Sequence, residues 1–332
     1  MPRNFVIVFT LVCCSLFSLQ SVSAVQPEHS VDICIYGGTS GGVVAAVKAA
    51  RLGKQAILIE PGQHLGGMSS GGLSFSDMGK AATVAGMARG FYQRIGRKYN
   101  KPLETQLEPH VAEQVFDEMI KEAGVTVLKG EPLKNVIKQG PRIQTLITEK
   151  GTRINAKMFI DTTYEGDLLA AAGVSYSLTR EANSQYNETL NGIQYHEIPQ
   201  VHFGKVDAIG RRKDRRGLWD RSIPLDPYRI PGKPESGLLP LIEKGELGTP
   251  GEAAPGVQAY CFRLCVTDQP ANRIPIQPPA DYDPARYEIV ARYIQACQKA
   301  GDDMDLRWFT KHDALPNGKF DFNTAYFGLN YV

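Results

Sequence analysis

Residues 32–72 read DICIYGGTSGGVVAAVKAARLGKQAILIEPGQHLGGMSSGG, and the fold turns on how this stretch is parsed. Val31 to Tyr36 is a short apolar strand. Gly41 to Leu52 carries Val43, Val44, Ala46, Val47 and Ala50 at helical spacing, with Gly53 as the stop. Gln55 to Glu60 is a second buried strand. A helix filling the crossover makes the two strands parallel, so the segment is a βαβ unit.

Between the first strand and the helix, Gly37, Thr39 and Gly42 occupy the positions of a G-x-G-x-x-G turn, with threonine at the middle glycine. The first glycine allows the tight turn out of the strand, and the last allows close packing of helix on strand. At the middle position the backbone approaches a pyrophosphate resting on the helix N-terminus, where free N–H groups and the helix dipole favour anions. Threonine sets the chain back slightly, and its hydroxyl is expected, with Ser40 and Gly41, to donate to a phosphate. A purely structural glycine turn is the competing reading of this motif. Glu60, about 20 residues on at the end of the second strand, is the acid expected to accept a hydrogen bond from a ribose 2′-OH. A 2′-phosphate would meet that carboxylate, which disfavours NADP.

To this point FAD and NAD fit equally. The second cluster, HLGGMSSGGLS, separates them: Gly66, Gly67, Gly71 and Gly72 keep the backbone thin beyond the point where a nicotinamide dehydrogenase enters its next helix. A ligand with a ribityl chain and a flavin beyond the pyrophosphate calls for such a passage, although a mobile glycine loop is the plainer reading.

Further along, a helix begins near Glu108-Pro109, shows the stripe Val111, Val115, Phe116, Met119 and Ile120, and ends at Gly124. Val125–Leu128 is a third strand. Leu133–Lys138, Ile143–Thr148 and Arg153–Ile160, parted by QGP and EKGT, form an antiparallel meander. The last runs into DTTYEGD at 161–167. From about Ser175 prolines and glycines thicken, which predicts a loop-rich second domain. One clear helix remains there, capped by Asp283, opened by Pro284 and closed by Gly301. The predicted fold is α/β: a Rossmann-type three-layer dinucleotide-binding domain with a β-meander over 31–174, then a loop-rich α+β domain over 175–332.

The first 24 residues read as a secretory signal: Arg3, an apolar run from Phe5 to Leu19, and Val22-Ser23-Ala24 as the cleavage site. The run is short for a membrane span, and no twin arginine precedes it. Cys13 after Leu11-Val12 gives a weaker lipoprotein reading. The expected location is periplasmic or secreted, with no stable membrane insertion after cleavage. Export of an unfolded chain would require a cofactor to be acquired outside the cytoplasm.

With 37 basic and 35 acidic residues, the net charge of +2 gives no general pull toward nucleic acid. The basic run Arg211–Arg216 is read as a solvated loop or an anion patch. Cys34 and Cys297 are read as core. Cys261 and Cys265 stand roughly 13 Å apart along a strand, too far to bridge. Neither a redox pair nor a metal-type Cys/His cluster is present, so no metal is expected. No catalytic residue is named. His64 could approach a flavin, even as an attachment point, or be a loop histidine. His110 sits in a helix first turn. Arg263 could meet a carboxylate substrate or form a buried ion pair, and Tyr260, His196 and His202 are weaker candidates.

YGGTSGGVVAA, EPGQHLGGMSSGGL, EPHVAEQVFDEM and DTTYEGDLLAAAGV together resemble the FAD-dependent oxidoreductase family, bacterial and often exported flavoproteins with a glutathione-reductase-like FAD fold. REANSQYNETLNGIQ, AYCFRLCVTDQPANRIP and LPNGKFDFN resemble its following domain, so the likeness spans nearly all of 31–330. In that family a Gly-Gly-Thr turn is usual. The resemblance implies noncovalent FAD, with Gly37, Thr39, Ser40, Gly41 and Gly42 at the pyrophosphate and Glu60 at the adenosine ribose. It implies Gly66, Gly67 and Met68 beside the ribityl chain and flavin, and Thr162, Thr163, Gly166 and Asp167 near the adenosine. It also implies a segment beyond residue 332 that returns to the FAD domain, so a truncated or split form with a partly open flavin site is expected. The leading expectation is two-electron hydride transfer between a small organic or carbohydrate-type substrate and an unknown acceptor. The alternatives are a polysaccharide-processing protein without redox turnover, as the xanthan lyase label of some family members suggests, and an inactive truncated product.

Overall fold

A computed structural model describes residues 27–194, 225–242, 244, 248–257, 263–299 and 310–324. The proposed leader, the Arg211–Arg216 run, His196, His202, Tyr260, Cys261 and Gly301 lie outside the described residues.

The opening βαβ unit is present: β1 (Glu28–Tyr36), α1 (Ser40–Arg51) and β2 (Ala56–Glu60), with the strands parallel and Ile35 opposite Leu58. β1 starts earlier than its apolar run predicts. Its polar residues Glu28 to Ser30 pair with Arg153 to Asn155 of β6, so strand pairing rather than hydrophobicity extends it. α2 (Gly86–Lys98) and α3 (Pro109–Ala123) follow, then β3 (Thr126–Lys129), β4 (Leu133–Gln139), β5 (Arg142–Thr148) and β6 (Arg153–Asp161). The sheet order is β3-β2-β1-β6-β5-β4. Its first four strands are parallel and β6-β5-β4 is the predicted antiparallel meander.

Because side chains alternate across a strand, the parallel sheet has two apolar faces. Ile35 and Leu58 pack with Val43 and Val47 of α1 and with Val115 and Phe116 of α3. Cys34, Tyr36, Ile57 and Ile59 point the other way, against Leu146 and Ile154 of the meander and Leu168. Helices, sheet and meander are therefore three layers. The Tyr36 hydroxyl accepts the Leu133 N–H at 2.7 Å and pins the start of β4 over the sheet. Burial pushes the Tyr36 hydroxyl up to about 12. It does the same to the Cys34 thiol, which makes Cys34 the core residue that the alternation predicts.

α3 has the predicted boundaries: Pro109 in its first turn, where a missing N–H costs nothing, and Gly124 left-handed at φ 67° just past its end. α2 is absent from the sequence reading. Its stripe of Met87, Phe91 and Ile95 is thin and interrupted by charge, and the tertiary partner α3 supplies what it lacks. Phe91 stacks on Phe116 with ring centroids 4.4 Å apart. Arg94 and Lys98 pair with Glu122 and Glu118.

After β6 come the short α4 (Asp167–Ala171) and α5 (Asn183–Tyr186), then β7 (Leu264–Thr267), α6 (Glu288–Lys299), β8 (Thr310–Leu315) and β9 (Lys319–Thr324). The last three strands form a separate antiparallel sheet in the order β7-β9-β8. Asp283 does cap, accepting the Ala285 N–H at 2.9 Å, but it caps a short 3-10 turn (Pro284–Tyr287) that leads into α6.

β9 joins this second sheet to the first part of the chain. Lys319 and Asp321 are two apart and so share a face. Lys319 pairs with the buried Glu108 at the start of α3, which also accepts from Tyr99 at 2.9 Å and Asn317 at 2.7 Å. Asp321, fully buried, accepts the Phe75 N–H at 3.1 Å and binds Arg263 through two oxygens, at 3.2 and 2.5 Å. Of the two readings of Arg263, the structure has the buried ion pair.

Candidate functional site

At the carboxyl ends of β1, β2 and β6 the chain turns four times within a small space. The turn after β1 is held by Thr39, the N-cap of α1. Its hydroxyl accepts the Gly42 N–H at 3.3 Å and donates to the Thr162 carbonyl at 2.8 Å. A hydroxyl has one proton, so the expectation that Thr39 donates to a phosphate is corrected. Threonine here caps the helix and ties the glycine turn to the end of β6.

The glycines divide the remaining work. A Cβ on Gly42 would collide with the Gly37 carbonyl and lie 2.8 Å from Thr162 Oγ1. One on Gly37, at φ 104°, would lie 2.7 Å from the Thr163 nitrogen. Both are packing requirements. Gly41 is different: its Cβ would find Thr39 Oγ1 at 3.6 Å and nothing nearer. Among the described residues no hydrogen bond engages the N–H of Ser40 or of Gly41. Uncommitted donors at a helix N-terminus, over open space, are what an anionic diphosphate requires.

Glu60 lies beside this turn. One carboxylate oxygen accepts the Gly38 N–H at 2.6 Å and the other the Gly62 N–H at 2.6 Å. A carboxylate offers about four acceptor positions, so two remain after the backbone has fixed its orientation. A vicinal diol, such as a ribose presents, matches that remainder. The residues therefore fit the adenosine diphosphate part of a dinucleotide such as FAD on the chemistry of the donor and acceptor set.

The second glycine cluster does come back to the first turn. Gly66 N–H donates to the Gly38 carbonyl at 2.8 Å, and Gly66 forms a parallel bridge with Thr39. Gly66 has φ 102°, and a Cβ there would collide with the Phe116 ring. Met68 is 51% exposed, and its N–H donates to the Tyr164 hydroxyl at 2.9 Å.

The segment after β6 closes the arrangement. The Thr162 hydroxyl lies 2.6 Å from the Gly37 carbonyl and 2.9 Å from that of Tyr36. Asp161 accepts from the Thr163 N–H at 2.9 Å, the Thr163 hydroxyl at 2.7 Å and the Leu169 N–H at 2.8 Å. Thr163 Oγ1 accepts in turn from the Gly166 N–H at 2.9 Å and the Asp167 N–H at 3.0 Å. Burial, then the neighbouring Glu165 and Asp161 carboxylates, hold the Asp167 carboxyl above its usual range.

All thirteen residues singled out at this site from the sequence lie on these converging turns. Asp161, the Gly38 amide and Tyr164, which the sequence did not single out, lie on the same turns. An aromatic residue in the polar turn DTTYEGD was the available signal for Tyr164. Two histidines lie elsewhere: His64 is 79% exposed and pairs with Glu113 on α3 at 3.0 Å, and His110 is exposed on the first turn of α3. Among the described residues no group of His, Cys, Asp and Glu is placed to hold a metal ion, and no helix is long and apolar enough to cross a membrane.

Several solved structures are similar to part of this chain. L-proline dehydrogenase from P. horikoshii is 17% identical, over 47% of this chain and 59% of its own, with a TM-score of 0.37. A geranylgeranyl bacteriochlorophyll reductase-like protein from Thermoplasma acidophilum is 22% identical, over 47% of this chain and 45% of its own, at 0.35. THI4 of Thermovibrio ammonificans is 20% identical, over 50% of this chain and 73% of its own, at 0.36. The chain thus spans less than two thirds of the length of the first two. No curated protein matches it. Residues 32–328 match the family described as FAD dependent oxidoreductase. That match takes in every residue of the site and both sheets apart from the start of β1, and the chain belongs to the FAD dependent oxidoreductase family.

Proposed function

We propose that the turns gathered at the ends of β1, β2 and β6 hold FAD, and that the protein moves a hydride between a small organic or carbohydrate-type substrate and a separate acceptor. The reading is carried by one observation: an oriented carboxylate with spare acceptor positions, Glu60, stands beside a helix N-terminus with uncommitted N–H groups, Ser40 and Gly41. In this reading Ser40 and Gly41 donate to the pyrophosphate while Gly37, Thr39 and Gly42 give the turn its shape. Glu60 orients the adenosine ribose. Gly66, Gly67 and Met68 line the ribityl side. Thr162, Thr163, Gly166 and Asp167 back the turn through the hydrogen bonds that fix it.

Bound FAD supplies two-electron chemistry that side chains cannot perform. The chain contributes orientation and electrostatics. Donors at α1 neutralise phosphate charge without reorganising, because the Thr39 cap and the Thr162 contacts already fix their direction. The leader over residues 1–24 would direct export, which N-terminal sequencing of the mature protein tests.

The decisive experiment is a flavin titration of the full chain, followed by anaerobic addition of candidate substrates. A bound, oxidised-flavin absorption spectrum that bleaches with one equivalent of a substrate is the expected result. Flavin that stays bound but is bleached by no alcohol, amine or sugar, together with cleavage of a polysaccharide, would favour the polysaccharide-processing alternative. Failure to retain FAD would overturn the reading.

A further inference from the structure

Tyr164 sits in a turn that is held on both sides of it, with the residue itself half exposed. Asp161 and Thr163 hold the turn on both sides of it, yet the residue is 54% exposed and joins neither hydrophobic core. The Met68 N–H, 96 residues away in the chain, donates to its hydroxyl. Gly67 accommodates this contact: it has φ 55°, and a Cβ there would collide with the Tyr164 hydroxyl. The glycine loop is therefore shaped around a phenol.

A phenol both accepts and donates. Its acceptor side is taken by Met68, and among the described residues nothing receives its proton. A half-exposed aromatic ring with an uncommitted O–H is suited to a ligand that offers an oxygen acceptor and a surface to cover. The contacts also give its place along that ligand. They run from Glu60 to Gly38, from Gly38 to Gly66, and through Gly67 to Tyr164. Tyr164 thus meets the glycine loop at Met68, which the FAD reading places beside the ribityl chain, while Glu60 meets the first turn at Gly38.

Resting on the FAD reading above, we infer that Tyr164 is a further cofactor-binding residue, donating its phenolic proton to an oxygen on the ribityl side of the pyrophosphate. Glu60 then serves the adenosine side and Tyr164 the flavin side. The residue distinguishes FAD from a ligand that ends at its phosphates.

The test compares the full-length chain with Tyr164→Phe, using FAD and ADP as separate probes and fluorescence and calorimetric titration as readouts. Loss of one hydrogen bond to a charged or polyol oxygen is expected to raise the Kd for FAD about tenfold, equivalent to about 1.4 kcal/mol. The Kd for ADP is expected to stay within about twofold, with the urea midpoint of the apoprotein unchanged. Equal weakening of both ligands, or a lowered midpoint, would make Tyr164 a structural tether and overturn the inference. An unchanged FAD affinity would do the same while leaving the FAD reading intact. If the unsubstituted chain binds ADP but not FAD, or neither, the FAD reading itself fails and this inference falls with it.

Discussion

Gly41 and Gly42 are adjacent, chemically identical and predicted to fail for opposite reasons when changed to alanine. At Gly41 the added methyl meets nothing closer than Thr39 Oγ1 at 3.6 Å, and the residue is in the first turn of α1. Alanine is favoured over glycine in a helix by about 0.5–1 kcal/mol, so the apoprotein should be as stable as the parent or slightly more so. The same methyl points into the open approach to the helix N-terminus. Displacing a phosphate from one charge-assisted hydrogen bond costs about 1.5–3 kcal/mol, a rise in Kd of roughly 10- to 150-fold. At Gly42 the methyl meets the Gly37 carbonyl and Thr162 Oγ1, which are hydrogen-bonded to each other at 2.6 Å. Neither can yield without opening the turn, so a loss of about 3 kcal/mol or more is expected, the upper end for overpacking. Urea denaturation followed by circular dichroism reads the first quantity, and flavin fluorescence titration the second. A Gly41→Ala protein that binds FAD within about twofold of the parent would refute the placement of the pyrophosphate. A Gly42→Ala protein of unchanged stability would refute the turn geometry itself.

Two predictions concern the junction made by β9. Asp321→Ala leaves Arg263, only 18% exposed, as a charge without its counter-ion, and it removes the acceptor of the Phe75 N–H. Breaking a buried pair from one side costs about 3–5 kcal/mol, so a loss under 1 kcal/mol in urea melts would show the pair to be solvated. Glu108 carries the second. Burial raises its carboxyl pKa, but hydrogen bonds from Lys319, Tyr99 and Asn317 outweigh burial and hold the pKa below the ordinary 4.5. A depressed folded-state pKa gives stability that is present above the unfolded value and lost as pH falls through the folded one. The parent should therefore lose stability below about pH 4.5 by more than Glu108→Gln does. Identical acid profiles for the two proteins would remove Glu108 from the account.

The parts of this protein legible from its sequence are those whose cause is local. The alternation of Cys34 and Ile35, the 3.6-residue stripe of α3 and the turn residues between β4, β5 and β6 each name an element and its buried face, because side-chain direction follows from backbone geometry alone. The βαβ unit and the glycine turn were readable for the same reason. Tertiary structure decided what depends on partners distant in the chain. α2 exists because Phe116 and the acids of α3 complete a stripe too thin to stand alone. Thr39 is a cap rather than a phosphate donor because the Thr162 carbonyl, just past the end of β6, takes its proton. Arg263 is half of an ion pair because β9 brings Asp321 to it, and Tyr164 meets Met68 because a glycine loop folds back to its hydroxyl. A periodicity shows which face of an element is apolar, whereas the fate of one proton or one charge is settled only when the fold has chosen its neighbour.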